Sequence, residues 1–267
     1  MNRALVTGGT RGVGFAIVQS MIKNSIPTIF TGRNQKDINN VIEKLNSPLV
    51  YGIPLDFANR VSVENFLTKV NKLYIKPSII IHNAGYLSLR PLEKYTNVEK
   101  LFMINTIGPI MITEHFLPNL LENNYGHVIF YSPPTLYDEK VKLLRPYMQS
   151  KLAQTTYMKS LSYTLMNKNI SVNSMWTDFP LWTDAISQRQ VGKKEECVDP
   201  NIMAEMVNQI IHHENPLNFK GNELIDKIYL KKKNIQIKKF YLGPESGISL
   251  DELFLKHLQK QRSTLKS

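Results

Sequence analysis

Tyr147 and Lys151 stand four residues apart in YMQSK (147–151), within a segment of helical patterning, so a phenol and an ammonium share one helix face. A free phenol gives up its proton near pH 10, and exchange near neutrality requires about 4 kcal/mol of preferential phenolate stabilisation. A partly desolvated ammonium close by supplies much of that. The chemistry such a pair serves is proton transfer to or from an oxygen. Pairs with this spacing also recur by chance, so its meaning depends on what surrounds it.

A second candidate site opens the chain. TGGTRGVG (7–14) carries glycines at 8, 12 and 14 between the strand-like ALVTG and a helical stretch from Val13 to about Lys23. Glycines so placed permit a tight turn, close approach of a pyrophosphate and close helix–sheet packing. The free N–H groups and positive dipole end of the helix then face the anion. This pattern, after a strand and before a helix, predicts a dinucleotide site. At the end of the second strand an NAD-preferring site places Asp or Glu to take the ribose hydroxyls. This chain has Gly32, Arg33 and Asn34 there, with Arg11 in the glycine loop. Guanidiniums grip a 2′-phosphate that an acid would repel, so NADP(H) is favoured over NAD(H).

The elements that must position these groups alternate along the chain. Apolar runs at 4–8, 27–32, 50–56, 78–85, 127–132 and 170–176 read as strands. Helical patterns fall near Gln35 to Leu45, Val61 to Leu73, up to Leu121, and Arg145 to Met166. Asp199-Pro200 caps a helix to about His213, and ELIDKIYL (223–230) alternates like a last strand. Continuous apolar strands joined through helices imply α/β architecture, a parallel sheet covered on both faces. The expectation is one Rossmann-type doubly wound sheet of about seven strands over residues 1–230, with a basic extension, 231–267, packed on the same domain. The histidine pair His212-His213 is expected on a helix surface or end.

Composition narrows the function classes. The 267 residues are 42% hydrophobic and contain one cysteine, Cys197, which excludes an internal disulfide and fits a reducing compartment. No apolar run is long enough to span a bilayer. MNRALVTGG enters a strand pattern at once, without the regions of a signal peptide. LKS at the end is not the peroxisomal SKL. The expected location is cytoplasmic. A net charge of +11 arises mostly from lysine in a chain also rich in Asn and Ile. The densest basic run, KKKNIQIKK (231–239), lacks interleaved aromatics, although Phe240 and Tyr241 follow it, so nucleic acid is not the expected partner.

These residues resemble the short-chain dehydrogenase/reductase family. TGGTRGVG matches its TGxxxGxG, HNAG (82–85) its NNAG, and YMQSK its YxxSK. Asn105 in NTIGP matches the helix-borne asparagine of its catalytic tetrad. The resemblance implies that Asp56 holds the adenine ring, that Asn83 steadies the sheet beside the cofactor, and that Thr183 contacts the nicotinamide carboxamide. It also implies that Lys151 bonds the nicotinamide ribose, while Asn105 holds a water joining that lysine to solvent through a kink favoured by Gly108-Pro109. Expected cofactor contacts are Gly8, Thr10, Arg11, Gly12, Val13, Gly14, Arg33, Asn34, Asp56, Phe57, Asn83, Ala84, Gly85, Tyr147, Lys151 and Thr183. A narrower likeness, in YSPPT, NSMWTDFPLWT and the segment from NFKGNEL onward, is to the hydroxysteroid dehydrogenase-like branch. Members of that branch often add a sterol-carrier domain, which this chain ends without.

The implied reaction is reversible, with hydride passing between the nicotinamide and a carbonyl carbon and Tyr147 exchanging the oxygen's proton. Two positions depart from the family pattern. Thr177-Asp178 replaces the usual Pro-Gly after the sixth strand, and the catalytic serine's place falls in Pro133-Pro134. Ser132 precedes that place and points to the other face, whereas Thr135 recovers the parity. Either hydroxyl polarises the carbonyl, or neither does. The alternative is therefore a catalytically weakened or inactive NADP(H)-binding regulator. Phe179, Leu181, Trp182 and Ile186 suggest an apolar substrate pocket and equally fit a lid packed on the core. The family often pairs through its two long helices, here near 98–121 and 146–166.

Overall fold

A computed structural model describes residues 2–87, 98–135, 145–188, 191–213, 215–250 and 252–253. Seven strands form one sheet, ordered β3-β2-β1-β4-β5-β6-β7, and every pairing is parallel. They are β1 (Ala4–Val6), β2 (Thr28–Gly32), β3 (Val50–Pro54), β4 (Ile79–His82), β5 (Gly126–Tyr131), β6 (Ile170–Trp176) and β7 (Glu223–Ile225).

Period-two alternation divides the core between the two faces. Ala4, Val6, Ile79, Ile81 and Ile129 join one buried cluster, with α1 (Gly12–Lys23), α2 (Gln35–Leu45) and α8 (Asn201–Ile211). Leu5, Ile80, Val128 and Phe130 join the other, with α3 (Arg60–Lys72), α5 (Gly108–Asn123) and α6 (Arg145–Thr164). Because helices cover both faces, the inner strands read as unbroken apolar runs. Helix ends follow local chemistry. Asn34 caps α2 by accepting from Asp37 N, and Asn59 caps α3 from Val61 N and Ser62 N. Asn46 and Asn124 end α2 and α5 in the left-handed conformation.

The long helix expected to end near Leu121 is built in pieces. The short α4 (Val98–Phe102) passes into a π-helical turn at Met103–Ile107, and α5 restarts at Gly108-Pro109. The π turn lies immediately before the Gly-Pro pair at which the sequence predicts a kink.

ELIDKIYL corrects the sequence reading. Only Glu223–Ile225 is strand, and Asp226–Lys232 is a helix, α9, which crosses the expected 230/231 boundary. Beyond it, Phe240 is buried in the α8-side cluster and Tyr241 packs edge-on against Phe179. The two aromatics after the basic run therefore face inward and offer no stacking platform. His212 ends α8, and His213 stacks on Phe219. A short α7 (Asp184–Ser187) lies between β6 and α8. Among the described residues no helix is long and apolar enough to cross a membrane.

Candidate active site

Strand order reverses between β1 and β4, and this switch point opens a crevice at the carboxyl ends of the strands. A cavity of about 620 Å³ occupies it, lined at one end by Gly8 and residues 10–14 and at the other by Tyr131, Tyr147, Lys151 and Trp176. The two sequence-predicted clusters thus share one chamber.

At the first end, Gly12 has φ +53°, a conformation that side chains resist, and Arg11 precedes α1 without a side-chain cap. The first N–H groups of α1 are left for an anion. A Cβ on Gly14 would overlap Gly8 O and lie 2.5 Å from Asn83 Nδ2. Asn83 holds this loop by donating to Thr7 O and Gly8 O, both at 3.1 Å. Thr7 Oγ1 accepts from the backbone N–H groups of Asn83 and Ala84. Gly14→Ala is therefore expected to cost about 2 kcal/mol of stability and to weaken nucleotide binding about tenfold. Thermal unfolding and ligand titration check both effects, and unchanged affinity contradicts the cradle.

Along the β2–β3 side, the cavity is lined by Gly32, Arg33, Asp37, Asp56 and Phe57. Asp56 Oδ1 accepts from Ala58 N, and its own N–H donates to Ser62 Oγ, which fixes the turn. Thr10 and Val13 line the cavity, and Asn34 does not. Its side chain is spent as the α2 cap and on Asp37 Oδ2. Arg11 Nη1 pairs with Asp184 Oδ2 at 3.2 Å across the mouth, an exposed pair of small worth that a phosphate can displace. Thr183 lines the same side, its Cγ2 lying 3.3 Å from where a Cβ on Gly12 would sit. The donor set, the glycine cradle and the two guanidiniums fit a dinucleotide phosphate.

At the far end, Tyr147 is half-buried on α6 with Lys151 one turn on. Lys151 is only 1% exposed, and its Nζ donates to Tyr131 O at 2.7 Å and Gln154 Oε1 at 3.3 Å. Burial pulls its ammonium down from 10.5 to about 7. Gly85 passes close by, since a Cβ there would lie 3.4 Å from Lys151 Nζ and 3.5 Å from Asn105 Oδ1.

Asn105 sits fully buried in the π turn. It accepts from Tyr86 N at 2.8 Å and donates to Tyr86 O and to Ser150 Oγ. Ser150 Oγ in turn donates to Tyr147 O, and Thr106 Oγ1 donates to Ser150 O. The Asn105 side chain thus ties the π turn to the α6 backbone that carries the tyrosine.

Neither proposed serine substitute lines the cavity. Ser132 is buried against α6, where Thr155 Oγ1 lies 2.9 Å from its Oγ and 2.6 Å from Pro133 O. Thr135 is exposed and donates to Glu223 Oε1. The β5 residue on the cavity wall is Tyr131, which packs at 5.4 Å on Trp176, with Lys151 Nζ 5.9 Å from its ring centroid. The sequence reading passed over both aromatics. Their signal was position: each is the last residue of a central strand, at the mouth of the crevice.

Of the apolar residues predicted for the substrate end, Leu181 and Ile186 line the cavity, whereas Phe179 is 1% exposed and belongs to the core. Trp182 packs with Ile186, Val191, Cys197 and Leu253.

A sequence profile described as short chain dehydrogenase matches residues 2–190. The oxidoreductase YvrD of Bacillus subtilis, itself uncharacterised, is 25% identical over 191 residues, covering 70% of this chain and 72% of its own. The NADP-dependent 3-hydroxy acid dehydrogenase YdfG of Escherichia coli K12 is 32% identical over 128 residues, 47% of this chain and 51% of that protein. A solved short chain dehydrogenase of Mycobacterium thermoresistibile superposes with a TM-score of 0.81 at 18% identity, over 93% of this chain and 94% of that one, and shares the fold.

Proposed function

The chain belongs to the short chain dehydrogenase family and is an oxidoreductase, and from that premise we propose that it interconverts a carbonyl and an alcohol with NADP(H). The observation that carries the reading is the continuity of one cavity from the glycine loop to Tyr147 and Lys151. The bound nicotinamide supplies or accepts the hydride. Everything else falls to the chain's own residues. Tyr147 gives a proton to the substrate oxygen in the reductive direction and takes it back in the oxidative one.

Lys151 favours the phenolate by charge and would bond the ribose of a bound nicotinamide nucleotide. A phenolate on Tyr147 reciprocally raises the lysine from about 7, because opposite charges at short range stabilise each other. Asn105 and Ser150 hold α6 so that the two stay in register. Tyr131, Trp176, Met148 and Leu181 exclude water around the reacting atoms and suit an apolar carbonyl compound.

Arg33, exposed at the lip of the β2 end, favours the phosphorylated cofactor, as does the NADP dependence of the relative YdfG. The test is cofactor consumption over chain-length-graded aldehydes and ketones with NADPH and NADH compared. Arg33→Ala is expected to raise the KM for NADPH about tenfold and to leave that for NADH within about twofold. A variant that loses both equally, or neither, removes Arg33 from cofactor choice. The second reading, a nucleotide-binding regulator, is favoured by the absence of Ser132 and Thr135 from the cavity wall. It predicts NADPH binding with no turnover across the whole panel.

A further inference from the structure

We propose that Asp226 is a positioning residue that fixes the nicotinamide-side wall of the cavity, by holding the loop after β6 and, through it, the segment that carries Leu250. The proposal rests on the dinucleotide reading above and adds a residue that no motif of the glycine loop or the tyrosine helix contains.

Asp226 is fully buried at the junction of β7 and α9. Its Oδ2 lies 2.7 Å from Thr177 Oγ1, and its Oδ1 accepts from Asp178 N at 2.9 Å and Lys227 N at 2.6 Å. Burial pushes this carboxyl up to about 6 against those bonds, with the Asp178 carboxylate adding to the rise. The charged groups that face it are therefore Asp178, which Lys227 Nζ engages at 3.2 Å, and that same lysine.

A carboxylate taken out of water is costly unless its donors are in place. Here two of the three donors come from the residues that stand where the family has Pro-Gly. Thr177 lines the cavity beside Trp176. Asp178 O accepts from Leu250 N at 2.7 Å, and Leu250 lines the cavity as well. One buried side chain thus anchors two wall segments that a proline ring would otherwise have stiffened.

Thr177 has one hydroxyl hydrogen and two acceptors at 2.7 Å, Asp226 Oδ2 and Phe179 O. This makes the site tolerant of an amide. In Asp226→Asn the side-chain nitrogen donates to Thr177 Oγ1, the hydroxyl turns to Phe179 O, and Oδ1 keeps both N–H groups. In Asp226→Ala two N–H groups and the anchor of the hydroxyl are lost together.

The experiment is titration of the full chain at pH 8 with NADPH and with adenosine 2′,5′-bisphosphate, which lacks the nicotinamide half. Asp226→Ala is expected to weaken NADPH about tenfold while holding the bisphosphate within about twofold, and Asp226→Asn to stay near wild type for both. Equal loss of the two ligands, or unchanged NADPH affinity, overturns the positioning role. Wild-type protein that binds neither ligand overturns the dinucleotide reading, and this role with it. If Asp226→Ala shows no cooperative unfolding, Thr177→Val carries the comparison, since it keeps both N–H bonds to the carboxylate. The same selective loss of NADPH is then expected, and its absence sinks the proposal.

Discussion

Tyr147→Phe is expected to lower kcat by about a thousandfold or more and to leave NADPH affinity within about twofold. The substitution removes one oxygen and keeps the ring, which is half-buried on the cavity wall and helps shape it. The backbone of the tyrosine stays tied through Ser150 Oγ to Asn105, so the helix register survives the change. What is lost is the only described group that combines a transferable proton, a place on the wall and a buried ammonium one turn away. General acid–base catalysis by a positioned group is worth about 10²–10⁴-fold. Thr177, a further hydroxyl on that wall, is already held between Asp226 and Phe179 and offers no substitute. Steady-state kinetics with direct binding titration separates the two effects. Turnover within tenfold of wild type would remove Tyr147 from the mechanism, and parallel loss of affinity would mean that the hydroxyl supports the fold instead.

The parts of this site that the sequence made readable are those whose chemistry is local. The glycine loop requires only a strand before it, a helix after it and glycines that a few backbone torsions demand. Asn34 and Asn59 announce the starts of α2 and α3 for the same reason. The helix spacing that joins Tyr147 to Lys151 is likewise a property of one turn. What was hidden depends on partners far along the chain. ELIDKIYL alternates like a strand and also spaces Asp226, Tyr229 and Leu230 on one face of a helix. The choice is made at Asp226, whose acceptors are filled by Thr177 and Asp178 from the loop after β6. Ser132 and Thr135 could be ranked by parity but not placed. Thr155, on α6, draws the Ser132-Pro133 segment onto that helix and leaves Tyr131 on the wall instead. Phe179 looked like a pocket residue because its neighbours are, yet Tyr241 from the C-terminal segment packs over it. Asn34 shows the same competition between neighbouring demands. Its place beside the glycine loop points to the ligand, while its side chain is held by the cap of the next helix.

Lys151→Met should separate stability from chemistry. The ammonium is buried, loses its proton at about 7 instead of 10.5, and faces two neutral acceptors, Tyr131 O and Gln154 Oε1. An unfolded chain therefore holds a proton between pH 7 and 10 that the folded one has shed. Below about 7 both forms are charged and the full cost of burial is borne. As pH climbs from there toward 10, the folded state gains at most about 1.4 kcal/mol per pH unit relative to the unfolded. Removing the nitrogen abolishes that slope. Absolute stability is a poorer readout, because the two acceptors left without a donor cost about 1–3 kcal/mol each and offset the relief of desolvation. Denaturant unfolding of the nucleotide-free proteins between pH 6.5 and 9.5 tests this directly: wild type steepens upward while Lys151→Met lacks that rise. Parallel curves would show that the ammonium is solvated and that it cannot act on the phenol from a desolvated position. With the charge gone, the Tyr147 phenol also loses its phenolate partner, so kcat should fall about a hundredfold or more even where the variant is as well folded as wild type. A stable, pH-insensitive and nearly inactive protein is the combined result expected, since the cost of burying that cation is incurred for the proton it governs.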